Sequence, residues 1–361
     1  MHAFTSIAGT TRTPRRILFT FLTAIGLILG LSLATPAQSA EPDNTGLFGT
    51  ADPTYDGVYR QSMAILGLTS TGSRAPKPAV AWLLRQQCAD GSFGAYRENP
   101  SEPCAPPDPT TFTGPDTNST AVAIMALRAL SESKAQPLAE ITRALKRATG
   151  WLKRQQGDAG GWEWIRGLSA DSTSTGMAMA ALGRSGAVDF RKGAAWLRNE
   201  LIVSSDCALP FQPEGPADPL STSWALIGAQ GALPYDRHRG PRTLTPCEGT
   251  PPSLLASGNW LATSLITGQG RIASAFTPDE TDWNSTALAT LGISQTHGST
   301  AAMRLGVTAL QANVLAYTRS STGDMPAALG TLLMVAHATG SDPTDFGGVD
   351  LRRQLLATLQ K

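Results

Sequence analysis

The chain has 361 residues, 29 of them basic and 28 acidic, so its formal net charge is only +1. Because this near-neutral charge comes without basic clusters, the composition argues against a nucleic-acid partner. No compositional break divides residues 41–361, which favours a single domain over that range.

The first 40 residues have the pattern of a secretion signal peptide. Three arginines within residues 12–16 precede an apolar run over 17–34, and small residues follow at 37–40. This pattern predicts a signal over residues 1–40 and a secreted, extracellular mature chain that is not membrane-bound after cleavage. A membrane anchor is the alternative, although the apolar run is short for a span. The general secretory and twin-arginine routes both stay open.

Twelve helices are predicted along the mature chain, which shows almost no β signal. In chain order they are Gly57–Leu68, Pro76–Gln87, Thr117–Ser131, about Leu138–Gln156, Ser172–Ser185, Phe190–Leu201, Ser221–Gly231, about Ser253–Ile266, Asn284–Ile293, about Ala301–Tyr317, Met325–Ala338 and Leu351–Leu359. These helices alternate between two kinds and so form six pairs.

Helices of the first kind begin with the pattern D-x-x-S-T-x-x-A. Its four copies start at Asp116, Asp171, Asp218 and Asp282. Asp, Asn, Ser and Thr cap helix N-termini, because their side-chain oxygens accept from the unpaired N–H groups of the first turn. Four copies at separations of roughly 50 to 65 residues indicate a repeat architecture.

Helices of the second kind carry a Trp-Leu pair, with tryptophan at 82, 151, 196 and 260. The first kind is apolar nearly all round, as in 121–127, which is typical of a helix buried on several sides. The second kind carries Arg, Lys and Gln at intervals and so has one wet face. Buried helices of the first kind and half-exposed helices of the second kind alternate six times along the chain. This alternation predicts two concentric rings of helices. An open solenoid of helix pairs is the alternative.

The four cysteines all lie in the predicted mature chain. They are Cys88, Cys104, Cys207 and Cys247. An even number in an exported protein indicates two disulfides, although the sequence alone leaves three pairings open. We favour Cys88–Cys104 and Cys207–Cys247, since each pair brackets a proline-rich excursion. A zinc site is the rival interpretation, but no CxxC or CxxH spacing occurs and the four histidines are scattered, so no metal is predicted.

Two segments resemble the Q-x-x-D-G-S-W/F-G repeat of terpene cyclases and protein prenyltransferases. They are Gln86-Gln87 with Asp90-Gly91-Ser92-Phe93-Gly94, and Gln155-Gln156 with Gly160-Gly161-Trp162. With six helix pairs, the whole mature chain resembles that superfamily. The resemblance implies an all-α fold, an (α/α)6 toroid that closes as a barrel. The same barrel serves cyclases, prenyltransferase subunits, thioester domains, some lyases and corrinoid carriers related to intrinsic factor and transcobalamin.

The resemblance also shows where a cyclase would carry its acid. Cyclases of this type protonate the substrate with the middle Asp of D-x-D-D-T-A, and the aligned stretch here runs from Asp116 to Ala121. Asn118 stands at the position of that Asp, and an amide cannot donate the proton. The other copies do not restore it. The zinc ligands of prenyltransferases and the Cys-Gly-Glu-Gln of thioester domains are also missing, which disfavours catalysis.

If all helices of the first kind run the same way, their N-termini form a polar rim over an apolar cavity. The predicted ligand-binding residues at this rim are Asp116, Asn118, Asp171, Ser174, Asp218, Asp282, Asn284, Trp162 and Trp283. The structural alternative for the polar residues is N-capping alone. Trp164, which also lies beside a turn, is a further candidate for stacking on a ligand.

The leading hypothesis from the sequence is therefore a secreted, non-catalytic protein that binds a small hydrophobic or corrinoid ligand, such as cobalamin, at the barrel mouth and requires no cofactor. One alternative is a terpene cyclase-like or lyase enzyme of the same fold. Another is an extracellular scaffold that binds a partner, such as a cell-envelope or transport protein.

Overall fold

The computed structural model describes residues 43–134, 137–183, 187–236, 245–274, 277, 279–296 and 299–361. The predicted signal peptide, residues 1–40, lies outside these described residues and stays a prediction. Within the described residues, no helix is both long and apolar enough to cross a membrane.

Helices account for most of the described structure. In chain order they are α1 (Gly57–Ser70), α2 (Lys77–Arg85), α3 (Thr117–Glu132), α4 (Leu138–Arg154), α5 (Ser172–Leu182), α6 (Ala187–Asn199), α7 (Pro219–Gln230), α8 (Ser257–Thr267), α9 (Trp283–Gln295), α10 (Thr300–Ala312), α11 (Val314–Thr318), α12 (Pro326–Thr339) and α13 (Leu351–Ala357). Short 3-10 turns cover Val203–Ser205 and Leu254–Ala256, and strands β1 (Arg319–Ser320) and β2 (Gly323–Asp324) form a small antiparallel hairpin.

One predicted helix is divided in the structure. The stretch predicted over 301–317 forms α10 and the short α11, with Asn313 between them. Asn313 leaves helical geometry, with φ −130° and ψ 29°, and its Nδ2 donates to the Ala309 carbonyl oxygen at 2.9 Å. An asparagine side chain that bonds to nearby backbone competes with the helix, which accounts for the break.

Six helices, α1, α3, α5, α7, α9 and α12, form an inner set. Each packs against the next in this order, and α12 also packs against α1. The other long helices each pack on a chain neighbour: α2 on α1, α4 on α3, α6 on α5, α8 on α7, α10 on α9 and α13 on α12. This pairing of helices is consistent with the α/α toroid that the sequence predicts.

The inner helices are buried on all sides. Every residue of α5 is buried, and so is every residue of α9 from Ser285 onward. In contrast, α4 buries Ile141, Ala144, Ala148, Trp151 and Leu152 along one face and exposes its charged residues. The predicted difference between a buried and a half-exposed set of helices is therefore confirmed.

Two pairs of inner helices touch through glycine. Gly330 of α12 packs against α1, where a Cβ at position 330 would lie 2.2 Å from the Met63 carbonyl oxygen. Likewise a Cβ on Gly176 of α5 would lie 2.5 Å from the Trp224 carbonyl carbon of α7. Only a residue without a side chain permits such an approach, so these glycines set the spacing of α1–α12 and α5–α7.

Both predicted disulfides are confirmed. Cys88–Cys104 closes the loop after α2, and Cys207–Cys247 joins the segment before α7 to the segment after it. Their Cα–Cα distances are 5.8 Å and 5.7 Å, within the range of ordinary disulfides.

Candidate functional site

All four aspartates of the repeated pattern are N-cap residues of inner helices. Each accepts, on Oδ1, the backbone N–H of the residue three positions ahead. The N···O distances are 2.7 Å at Asp116, Asp171 and Asp218 and 2.9 Å at Asp282. Each carboxylate thus satisfies a donor that the first turn of its helix leaves unpaired. The predicted capping role is confirmed, whereas the predicted ligand-binding role of these residues stays a prediction.

The threonine of each copy forms a hydrogen bond that joins its helix to the loop before it. Thr120 Oγ1 accepts the Phe93 N–H at 2.9 Å, while the Asp116 N–H donates to the Phe93 carbonyl at 3.0 Å. The same 2.9 Å bond joins Trp162 to Thr175, Leu209 to Thr222 and Ile272 to Thr286. Asp and Thr of the pattern are therefore both used by the fold.

Replacing Thr120 by valine tests this role. Valine has nearly the same shape but cannot accept a hydrogen bond, so the buried Phe93 N–H loses its partner. We expect the free energy of unfolding to fall by about 1 to 3 kcal/mol, measured by urea denaturation. The matched control is Thr142→Val on exposed α4, where only a local bond to Leu138 is lost. An equal effect of both substitutions would contradict the role assigned to Thr120.

The third residue of the pattern differs between copies: it is Asn118, Thr173, Leu220 or Asn284. Its polar groups meet different surroundings. Asn284 Oδ1 accepts the Tyr317 hydroxyl at 3.1 Å, and Thr173 Oγ1 lies 2.9 Å from Ser221 Oγ. The buried Oδ1 of Asn118 has no hydrogen-bond partner within the described residues. The capping Asp and the loop-bonded Thr make the same hydrogen bonds in every copy, whereas the residue at the third position does not. Its role can therefore differ between copies.

A small cavity lies at the N-terminus of α3, and we call it the acid cavity. It has a volume of about 120 Å³. It is lined by Asp90, Pro107, Pro115, Asp116, Thr117, Trp151, Gln155, Glu163, Trp164 and Arg166. Asp116 thus lines a cavity that also borders two indole rings, and the Trp151 side chain is buried with only 8% of its surface exposed.

Burial makes Asp116 and Asp171 weak acids for their type. Loss of water around the ionised form raises the pKa of Asp116 from 3.8 to about 6, although hydrogen bonds from Ser119 and an interaction with Trp164 partly offset this. Burial also raises the pKa of Asp171 to about 6. Asp116 is 4% exposed and Asp171 1%. A carboxyl group with such a pKa is partly protonated near neutral pH and can act as a general acid.

Trp164 connects these two carboxyl groups. Its side chain interacts with Asp116 and its backbone with Asp171, while its carbonyl accepts the Thr117 N–H of α3 at 2.8 Å. The half-exposed ring of Phe112 stacks on Trp164 with centroids 5.4 Å apart and an interplanar angle of 12°. Trp164, named as a stacking candidate from the sequence, therefore lies at the cavity with one face already covered.

The other predicted site residues are not among those that line this cavity. Trp162 is fully buried, and its Nε1 donates to the Leu152 carbonyl at 2.9 Å, so the structure places it in the core. Ser174 is buried, with its Oγ bonded to Asp171 Oδ2 at 2.7 Å. Half-buried Trp283 packs against the core at the start of α9. The predicted ligand-binding rim stays a prediction.

Sequence reasoning did not single out three residues of the acid cavity. Gln155, Glu163 and Arg166 come from the end of α4 and the loop after it. Gln155 belongs to the Q-x-x-D-G-like segment, which was interpreted as a feature of the fold. Among the described residues, no group of three or more His, Cys, Asp or Glu side chains is placed to hold a metal ion.

Comparisons with known proteins connect this fold to enzymes. No protein family and no curated protein matches the sequence. The ent-copalyl diphosphate synthase from Streptomyces platensis matches in structure with a TM-score of 0.50 and 14% identity, over 79% of this chain and half of that chain. A variant of the type II terpene cyclase MstE from Scytonema matches with a TM-score of 0.49 and 17% identity, over 82% of this chain and 79% of that one.

This finding corrects the leading hypothesis from the sequence. The sequence predicts a non-catalytic ligand-binding protein because Asn118 replaces the acid, but the solved structure that matches with a TM-score of 0.50 is that of a synthase, which is an enzyme. The cyclase-like alternative agrees better with this match, while the similarity to corrinoid carriers stays a prediction. At identities this low the likeness concerns the fold. In its fold, the chain is similar to the ent-copalyl diphosphate synthase from Streptomyces platensis.

Proposed function

We propose that the chain is a cyclase-like enzyme in which Asp116, rather than the residue at 118, is the acid. One observation carries this proposal. Asp116 is a buried carboxyl group whose pKa is raised to about 6, and it lines a cavity bordered by Trp151 and Trp164. An acid beside aromatic rings suits a reaction that creates a carbocation, because the ring faces attract positive charge.

The local geometry supports a proton on one particular oxygen. Asp116 Oδ1 accepts the Ser119 N–H at 2.7 Å, which leaves Oδ2 as the atom to carry the proton. In the proposed reaction this proton adds to a carbon–carbon double bond of a polyene substrate. A second double bond supplies the electron pair that closes a ring, and transfer of a proton from a neighbouring carbon to water ends the reaction. Asp116 then takes a proton back from the solvent. The product is an isomer of the substrate, so no oxidant or reductant is needed.

The proposal extends to the architecture and the location. Because α12 packs against both α9 and α1, we propose that the six helix pairs close as an (α/α)6 barrel. Two disulfides are typical of proteins in oxidising compartments, which supports an exported protein. N-terminal sequencing of protein from the culture medium would check cleavage after Ser39 or Ala40.

Asp116→Asn is the variant that tests the proposed acid. Asparagine caps a helix as well as aspartate does, so the fold is retained while the proton is removed. With squalene and geranylgeraniol as substrates, we expect cyclic isomers of unchanged mass from the natural protein, detected by gas chromatography and mass spectrometry. Their rate should fall at least about 100-fold in Asp116→Asn. Asp218→Asn, which changes a capping residue away from the acid cavity, is the matched control.

The pH dependence gives a second readout. Because the acid must be protonated, the rate should be roughly ten-fold higher at about pH 5 than at about pH 7 for a pKa near 6. Equal product formation by the natural protein and Asp116→Asn would rule out Asp116 as the acid. The absence of any isomer from either substrate at both pH values would count against cyclisation of polyenes.

A further inference from the structure

A larger groove lies next to the acid cavity, and we call it the disulfide groove. It has a volume of about 640 Å³. Its walls include the Cys88–Cys104 disulfide and Pro100, Pro103 and Pro106. Asp90, Pro107 and Pro115 line both the groove and the acid cavity. The two spaces therefore share a boundary.

Size decides how the two spaces would share a ligand. Sites for small molecules usually have volumes of roughly 300 to 1,000 Å³. The acid cavity, at about 120 Å³, has room only for the end of a molecule that reacts at Asp116. The disulfide groove, at about 640 Å³, has the volume to hold the rest.

The chemistry of the groove suits an apolar chain. Most of its lining consists of proline, alanine and the disulfide. Its guanidinium group, that of Arg97, is already bound to backbone carbonyls: Nη1 donates to Arg85 and Gln87, and Nη2 donates to Pro100 and Glu102. Because these bonds and the disulfide hold the wall in place, little chain entropy would be lost when a ligand binds.

We propose that the disulfide groove binds the apolar chain of the molecule whose reactive end lies at Asp116. This inference rests on the proposed function for the identity of the reactive end. It adds a binding site outside the inner helices, formed by the loop that Cys88–Cys104 closes. The ligand it selects is elongated and apolar, with its polar or unsaturated end directed to the acid cavity.

Saturated linear alcohols of increasing length are probes that test the groove without any reaction. We expect binding, measured by isothermal titration calorimetry, to tighten by up to about four-fold for each added CH₂ that is buried. Ala105→Trp and Ala89→Trp each place a large ring in the groove at an exposed position. Either should weaken binding of the longest alcohol at least about ten-fold. The matched control is Ala301→Trp, on an exposed position of α10.

The variants separate this inference from the proposed chemistry. Asp218→Asn changes a capping residue that lines neither the acid cavity nor the groove, so it should bind the alcohols as the natural protein does. Affinity that does not depend on chain length, or that survives both Ala105→Trp and Ala89→Trp, would overturn the groove assignment. Length-dependent binding that both tryptophans remove would support it whether or not cyclisation is observed.

Discussion

Replacing Gly330 by alanine is expected to lower the free energy of unfolding by about 3 kcal/mol or more. The new Cβ would lie 2.2 Å from the Met63 carbonyl oxygen and 2.6 Å from its carbon, so the contact is with rigid backbone. Neither helix can bend away locally, because both are buried on every side. The substitution therefore has to separate α1 from α12 or displace one along the other.

Gly150→Ala is the matched control for this prediction. Gly150 lies within α4, and only the flexible end of Arg154, at 3.5 Å, would lie within 4 Å of the new Cβ. Alanine favours the helix over glycine by about 0.5 to 1 kcal/mol, so this variant should be more stable than the natural protein. Urea denaturation of both variants measures the two opposite effects. If Gly330→Ala were as stable as Gly150→Ala, the close contact of α1 and α12 would not exist in solution.

The close contacts at the helical glycines could not be predicted from the sequence. A glycine inside a helical pattern only weakens the prediction of that helix, and nothing local reveals that Gly330 faces Met63 rather than solvent. The capping residues behave differently. Asp116 and Asp282 interact within their own first turn, so their role follows from residues three positions apart. Local signals therefore predicted the helices and their starts, while the distances between helices needed the structure.

The candidate site likewise has residues that the sequence identified and residues that only the structure brought to it. The sequence identified Asp116 because it begins a copy of the repeated pattern, and Trp164 because it lies beside a turn. It could not assemble the acid cavity, since Glu163 and Arg166 reach it from a loop with no motif of its own. Nor could it show that burial changes the acidity of Asp116. The absence of the expected acid at 118 favoured a protein without catalysis, whereas the structure provides another carboxyl group two residues earlier.

The repeated pattern also separates fold from function. Its Asp and Thr bond to backbone in all four copies, so selection for a stable repeat suffices to explain them. Burial differs between copies, because Asp116 and Asp171 are enclosed whereas Asp218 and Asp282 are half-buried. A chemical role is therefore more plausible for a copy whose cap is enclosed beside a cavity, and Asp116 is such a cap.

Lowering the pH from about 7 to about 4.5 is expected to stabilise the protein, which is the reverse of ordinary acid denaturation. The pKa of both Asp116 and Asp171 is raised by burial to about 6, whereas an aspartate in the unfolded chain titrates near 3.9. The folded state therefore binds protons more tightly. Its extra stability is complete below about pH 4 and is lost as the pH rises through about 6. Each carboxyl group should contribute about 2 to 3 kcal/mol.

Other carboxyl groups limit the pH range of this effect. Hydrogen bonds from Thr54, Thr110, Thr111 and Thr344 lower the pKa of the exposed Asp52, Asp108 and Asp342. Their contribution has the opposite sign, because a lowered pKa stabilises the fold only while the group is ionised. We therefore expect stability to rise between about pH 6 and about pH 4.5 and to fall again at lower pH.

Urea denaturation across this range, with the natural protein and three variants, measures the two buried groups separately. Asp116→Asn and Asp171→Asn keep the capping acceptor but cannot bind a proton, so each should remove about half of the rise that these two groups contribute together. Burial also raises the pKa of Asp56 and Glu200, which adds a smaller rise that all three variants retain. Asp218→Asn retains both buried carboxyl groups and should retain the full rise. If Asp116→Asn kept the full rise as well, its carboxyl group would titrate at an ordinary pKa and could not serve as the acid. Loss of half the rise would show that the fold holds a proton on Asp116 at the pH where the proposed reaction needs it.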